Sequence, residues 1–162
     1  MAGNSTGMSL EDISIEKVGA GNFTIFLGLV RKLAAYERLS PPDESAAARL
    51  RADCLSHPPR YKAYIATLHG IPVGYVTFYF TYSTFLALPT LFLEDIFVDE
   101  EHRREGIGRA LFTFCRNEAR RRGCGRIEWL VLTWNEPALT FYERCGGKRL
   151  DWYPYRIERD AM

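Results

Sequence analysis

Apolar and polar residues alternate over residues 12–18, with Ile13 and Ile15 on one face, and this period of two predicts a half-buried strand. The period then lengthens. Phe26, Leu29, Val30 and Leu33 recur at helical spacing and predict a helix over 22–38, and after Pro41-Pro42 an alanine-rich stretch predicts a second over 42–55. Residues 62–68 and 72–82 are β-branched and aromatic, and His69-Gly70 between them reads as the tight turn of a hairpin. A third strand is predicted at 91–98, then a glycine-containing loop into a helix at 107–122, a strand at 127–133, a helix at 136–145 and two short strands near 148–158. Antiparallel hairpins joined to a βαβα unit predict one mixed sheet with helices on both faces, an α+β architecture and not a doubly wound one.

The chain has 162 residues, 47% hydrophobic and 25% charged, which are globular proportions for a single domain, expected over 9–162 behind a loose tail at 1–8. Its apolar runs, such as Phe85-Leu86-Ala87-Leu88, fall far short of the ~20 residues that span a bilayer, so no membrane partner is expected. The opening residues hold no basic or apolar region of a secretory signal, and Cys54, Cys115, Cys124 and Cys145 show neither a CxxC pair nor disulfide-framework spacing. A cytoplasmic chain with free thiols is the expectation.

Charge is uneven. Residues 101–126 carry eight arginines against three glutamates, a local +5 in a chain of net +1, which leaves −4 for the rest. That asymmetry points to an anion bound in one segment and a cationic partner elsewhere. Arg120, Arg121 and Arg122 end a helix, where cations favour the negative end of its dipole. His57, His69 and His102 lie in turns and form no ligand cluster, so no metal is expected. Without a nucleic-acid motif, and with an acidic remainder, no nucleic-acid partner is expected either.

The chemistry concentrates in Leu93-Glu94-Asp95-Ile96-Phe97-Val98, followed after five residues by Arg104-Glu105-Gly106-Ile107-Gly108-Arg109. A strand feeding a glycine turn into a helix N-terminus makes an anion cradle, because backbone N–H groups can approach the ligand closely at the positive end of the helix. A dinucleotide fingerprint would need a third glycine and a Walker loop would need GK[ST]; neither is present. Further on, Asn135 can cap a helix with Pro137 in its first turn, and Gly146 can end it.

With these two segments in this order, the chain resembles the GCN5-related N-acetyltransferases. Their [QR]-x-x-G-x-[GA] motif is matched by Arg103, Gly106 and Gly108, and their N-x-x-[AS]-x-x-[FL]-Y-x-[KR]-x-G by Asn135, Ala138, Phe141, Tyr142, Arg144 and Gly146. Within that superfamily it is similar to diamine (spermidine/spermine) and thialysine N-acetyltransferase-like proteins. The shared stretches are Ala35-Tyr36-Glu37, Tyr79-Phe80-Thr81-Tyr82, Leu93 to Val98, Trp134-Asn135-Glu136-Pro137 and Phe141-Tyr142. It departs from the polyamine enzymes after Gly146, where Lys148 to Trp152 offers only Asp151 in place of paired acids.

The resemblance implies a mostly antiparallel, mixed sheet of six to seven strands, and acetyl transfer from acetyl-CoA, the co-substrate, to a small amine by direct attack in a ternary complex without a metal. It implies that Ile96, Phe97 and Val98 pair with the pantetheine arm, and that one backbone N–H there polarises the thioester oxygen. The N–H groups of Arg104, Glu105, Gly106, Ile107, Gly108 and Arg109 would hold the pyrophosphate, with Arg104 and Arg109 supplying charge; Arg103 would bind the cofactor too, and Asn135 and Arg144 would line its other wall. Tyr142 matches the general acid, since a phenol of pKa about 10 stays protonated at neutral pH. Glu94 matches the general base.

With Asp95, Glu94 would also attract the cation. Strand alternation sends adjacent side chains to opposite faces, so only one of these acids is expected to face the amine. Tyr36 and Glu37 match acceptor contacts, Glu37 at the far end of the groove, and Glu128 and Trp129 are further candidates. A homodimer is implied as well. Other acceptors keep the same cofactor: a protein or peptide amine, or an arylalkylamine. A CoA-binding regulatory module without turnover is the reading from another class, and the joint presence of Tyr142 and Glu94 stands against it. Cys145 has no histidine partner to make it a nucleophile.

Overall fold

The computed structural model describes residues 12–162, so the tail expected at 1–8 lies outside the described residues. The chain divides after Leu130 into two units, and the first holds the whole sheet. Its elements are β1 (Ile13–Lys17), α1 (Phe23–Glu37), α2 (Glu44–Leu55), β2 (Lys62–Leu68), β3 (Ile71–Ser83), β4 (Leu88–Val98), α3 (Ile107–Arg121) and β5 (Arg126–Trp129). Local chemistry explains most boundaries. Asp43 caps α2 by accepting from the Ala46 N–H at 2.7 Å. His69 and Gly70, at φ 49° and 80°, are both left-handed, as a two-residue hairpin turn needs to match the strand twist.

The sheet order is β1-β2-β3-β4-β5, antiparallel except for the parallel pair β4 and β5. Alternation along β2 and β3 sends Ala63, Ile65 and Tyr75 to one face, where Phe23, Phe26 and Leu29 of α1 pack with Phe97. Phe26 meets Tyr75 edge-on at 5.3 Å. On the other face Tyr64 and Phe78 meet Phe114 of α3 at ring distances of 4.5 and 6.5 Å. The arginine run ending α3 is exposed, and Arg121 also pairs with Glu118, whose 4% exposure would be costly without that partner and Lys62 at 3.4 Å.

Two expectations fail. β5 stops at Trp129 and not at 133, and residues 148–158 form no strand, so among the described residues the sheet has five strands and not six to seven. Leu150, Trp152, Tyr153, Tyr155 and Ile157 have strand-forming side chains, yet all are exposed. Strand preference expresses itself only against a neighbouring strand and a buried face, and this segment has neither of them in its own unit. That second unit, Val131–Met162, holds α4 (Glu136–Arg144) and a turn of 3₁₀ helix at Arg159–Ala161. Among the described residues no helix is long and apolar enough to cross a membrane.

Gly74 of β3 is fixed by close approach. A Cβ there would lie 2.5 Å from the Phe97 carbonyl oxygen of β4, a backbone atom that cannot swing aside. Gly74→Ala is expected to destabilise the fold by about 1–3 kcal/mol, the usual cost of overpacking. Urea unfolding measures it, and an unchanged midpoint would show that the two strands separate more easily than their register indicates.

Candidate active site

The register of β3 on β4 decides where the two acids point. Thr77 lies opposite Asp95 and Phe78 opposite Leu93, which leaves Glu94 as an extra, bulged residue. A bulge breaks the period of two. Phe92 therefore faces Tyr79 and Phe97 faces Tyr75 on the same side of the sheet, although they are an odd number of residues apart. The expectation that strand alternation sends these acids to opposite faces is overturned: Glu94 and Asp95 both line a single cavity of about 330 Å³ on the α1 side of the sheet. Its other walls are apolar or aromatic: Phe26 and Val30 from α1, Pro42 and Leu50, Tyr61, and Tyr79 beside Thr77.

Glu94 is exposed at this cavity, whereas Asp95 is largely withdrawn from water. The Thr77 hydroxyl donates to the Asp95 carboxylate at 3.0 Å, and the Asp95 N–H donates to the same hydroxyl oxygen at 3.2 Å. Burial pushes the Asp95 carboxyl up to about 6; the Thr77 hydrogen bond opposes this, and the negative charges of Glu94 and Glu37 add to it. Glu37 is itself raised by burial, and it acts on both Asp95 and Tyr75. Burial also raises the Tyr79 phenol, helped by Glu94. An ammonium entering here meets carboxylates whose charged neighbours are negative.

Beyond the acids β4 is left open on one side. β5 pairs with it only from Thr90↔Arg126 to Leu93↔Trp129, so among the described residues Asp95 to Val98 are paired to β3 alone. The chain then turns through residues 99–106. Arg104, at φ 70°, is left-handed despite its side chain, and Gly106, at 79°, is left-handed at the N-cap of α3, where no side chain caps the helix. An open strand edge running into uncapped N–H groups beside Arg104 and Arg109 fits an extended chain that ends in phosphate, which is the shape and charge of acetyl-CoA. Phe97 and Ile107 point into the core, at 4% and 1% exposure, so only their backbones are available to a ligand.

Arg103 is engaged by the fold. Its Nε donates to the Val98 carbonyl at 3.3 Å, its guanidinium lies 4.5 Å from the Tyr36 ring centre and it pairs with Glu100 at 3.4 Å. Glu105 pairs with His102 at 3.2 Å. Arg109 lines a second cavity, of about 350 Å³, with Ile15 and Asn117. Glu128 pairs with Arg126 at 3.1 Å, and Trp129 packs on Phe112 of α3 at 5.5 Å, so neither lines the acidic cavity.

In the second unit, Asn135 caps α4 by accepting from the Ala138 N–H at 3.3 Å. Tyr142 and Arg144 stand on that helix, with Phe141 edge-on to Tyr142 at 5.1 Å. Residue patterns missed Thr77 and the walls Phe26, Val30, Pro42, Leu50 and Tyr61. Only Thr77 left a signal, a polar residue between Tyr75 and Tyr79 on one face of an aromatic strand.

The profile of the Acetyltransferase (GNAT) family matches residues 29–147. Thialysine N-epsilon-acetyltransferase of Bos taurus is 33% identical over 162 residues, covering 93% of this chain and 95% of that protein. L-ornithine N5-acetyltransferase NATA1 of Arabidopsis thaliana is 37% identical over 110 residues, 67% of this chain and 48% of that one. Among solved structures, an integron cassette protein from the mobile metagenome of V. cholerae superposes with a TM-score of 0.79 at 22% identity, covering 93% of this chain and 94% of that one.

Proposed function

Because this chain belongs to the Acetyltransferase (GNAT) family, we propose that it transfers an acetyl group from acetyl-CoA to the primary amine of a small cationic or lysine-like acceptor. The observation that carries the acceptor class is the bulge at Glu94, which turns two adjacent carboxylates into one cavity beside the open edge of β4. Relatives named for acetylating thialysine and L-ornithine support the same class.

Acetyl-CoA supplies an electrophilic thioester carbonyl and a thiol leaving group when bound. Backbone groups of Ile96, Phe97 and Val98 align and polarise that end, while Arg104, Gly106, Gly108 and Arg109 receive the pyrophosphate. Glu94, at the exposed side of the cavity, takes the proton from the incoming ammonium, directly or through water, and can pass it to solvent. Tyr142 gives its phenolic proton to the departing sulfur. The nitrogen attacks directly, so no residue becomes acylated, and the second proton it sheds as the amide forms restores the Tyr142 phenol by way of water. Asn135 and Arg144 are further cofactor contacts in this reading, and the working form is a cytoplasmic homodimer, whose dimeric state sedimentation equilibrium tests.

A panel of amines with acetyl-CoA, read by release of free thiol, tests the function. Spermidine, thialysine, lysine and an arylalkylamine divide the acceptor classes, and no thiol release with any of them would remove the reading. A diamine is expected to show a higher kcat/KM than its monoamine analogue of equal length, with a preference that shrinks as salt rises, because Glu37, Glu94 and Asp95 together favour a second positive charge. Equal values at low salt would shift the acceptor to an arylalkylamine or a peptide amine.

A further inference from the structure

Two acids line the cavity, and their surroundings differ in a way that divides their work. Glu94 is exposed, so a proton it accepts can leave to water. Asp95 is withdrawn from water and held from two directions by one hydroxyl. Thr77 Oγ1 already accepts from the Asp95 N–H at 3.2 Å, so its single hydrogen is left for the carboxylate oxygen at 3.0 Å. That arrangement fixes the side chain on the short segment where β4 bulges, and it favours the ionised form of the acid.

Tyr75, wholly buried one pleat away on the same face, has a hydroxyl that lies next to Asp95 but short of a well-formed hydrogen bond. An unmet buried donor beside a carboxylate favours negative charge there still further.

Resting on the amine-acetylating reading above, we propose that Asp95 is the seat of the acceptor's ammonium group and that Thr77 is the positioning residue that keeps its carboxylate ionised and turned to the cavity. The groups that act on Asp95 come from every side of it: Glu94 on its own strand, Glu37 at the end of α1, and Tyr75 and Thr77 on β3, while Tyr61 feels its charge from the neighbouring wall. Burial and the two other carboxylates push Asp95 toward the neutral acid, and the two hydroxyls oppose them. Valine has the shape of threonine without the hydroxyl, so Thr77→Val removes one of these opposing groups and leaves the cavity wall intact.

The test uses the full chain carrying Thr77→Val, Thr77→Ser or Asp95→Asn. For each, kcat, the KM of the preferred amine, the KM of acetyl-CoA and the pH dependence of kcat/KM for the amine are measured, and calorimetry gives amine affinity with CoA present. Thr77→Val is expected to raise the amine KM and Kd by about 10-fold and to move the acidic limb upward by about one pH unit, the usual weight of a hydrogen bond to a charged group. Its acetyl-CoA KM stays at the wild-type value. Thr77→Ser, which keeps the donor, restores both quantities, whereas a merely structural role would move neither the limb nor the amine-specific KM. Asp95→Asn raises the amine KM by about 10²-fold or more.

An unchanged acidic limb and amine Kd in Thr77→Val would overturn the positioning role. A fall in kcat at constant amine Kd in Asp95→Asn would overturn the seat and make Asp95 the base. Wild-type protein that acetylates no amine overturns the function itself, and so is told apart from a failure of the variants alone.

Discussion

Tyr142→Phe is expected to lower kcat by about 10²-fold or more while acetyl-CoA affinity changes little, because general acid catalysis typically contributes 10²–10⁴-fold. The substitution removes one oxygen and keeps the ring. Phe141 still meets that ring edge-on at 5.1 Å, and α4 still begins at the Asn135 cap, so the helix that presents the residue is retained. What is lost is the proton for the departing sulfur, which must then leave as a bare thiolate or take a proton from water. Because that proton is needed only as the carbon–sulfur bond breaks, the loss falls on kcat and not on ground-state binding. Steady-state rates over a range of pH, together with calorimetry of cofactor binding, check both halves. Rates within a factor of three of wild type at every pH would mean that another group donates the proton.

Gly108→Glu is expected to weaken acetyl-CoA binding by at least about 10²-fold without unfolding the protein. Gly108 is the second residue of α3, and the first turn of a helix tolerates or welcomes a carboxylate, by about 0.3–1 kcal/mol. The same charge opposes any anion at the uncapped N–H groups, and two like charges about 4 Å apart at an effective dielectric near 20 repel by about 4 kcal/mol. The substitution thus separates helix stability, which should hold or rise, from anion binding, which should fall. Calorimetry on the folded variant is the measurement, and wild-type affinity there would remove this turn from the cofactor site. Gly106 is a poorer probe, since its left-handed φ of 79° would strain any replacement whatever the ligand does.

Much of the fold was legible in local patterns because the forces that make those elements are local. Helical spacing found α1, Pro41-Pro42 and the alanine-rich stretch found α2, the glycine loop found the start of α3, and His69-Gly70 marked the β2–β3 hairpin, since boundary prolines and left-handed turns act within a few residues. The candidate cofactor turn and the Asn135 to Gly146 helix were legible for the same reason: their residues are contiguous, and their spacing survives in the string. What the string could not carry was pairing. Residues 148–158 have strand-forming side chains and make no strand, because a strand needs a partner that its own residues cannot supply.

The acids show the same limit more sharply. Read along the chain, Glu94 and Asp95 should oppose each other across the sheet. The register with β3, set by residues nearly twenty positions earlier, inserts Glu94 as a bulge and brings both to one face. The cavity they enter is walled by Phe26 and Val30 of α1 and by Leu50 of α2, residues that any sequence reading assigns to core packing. Thus the amino-acid sequence by itself determined which elements form and which motifs they carry. Only the tertiary structure decided that two neighbouring carboxylates share one cavity and that Thr77 holds the half-buried one, because register and burial are properties of distant segments packed together.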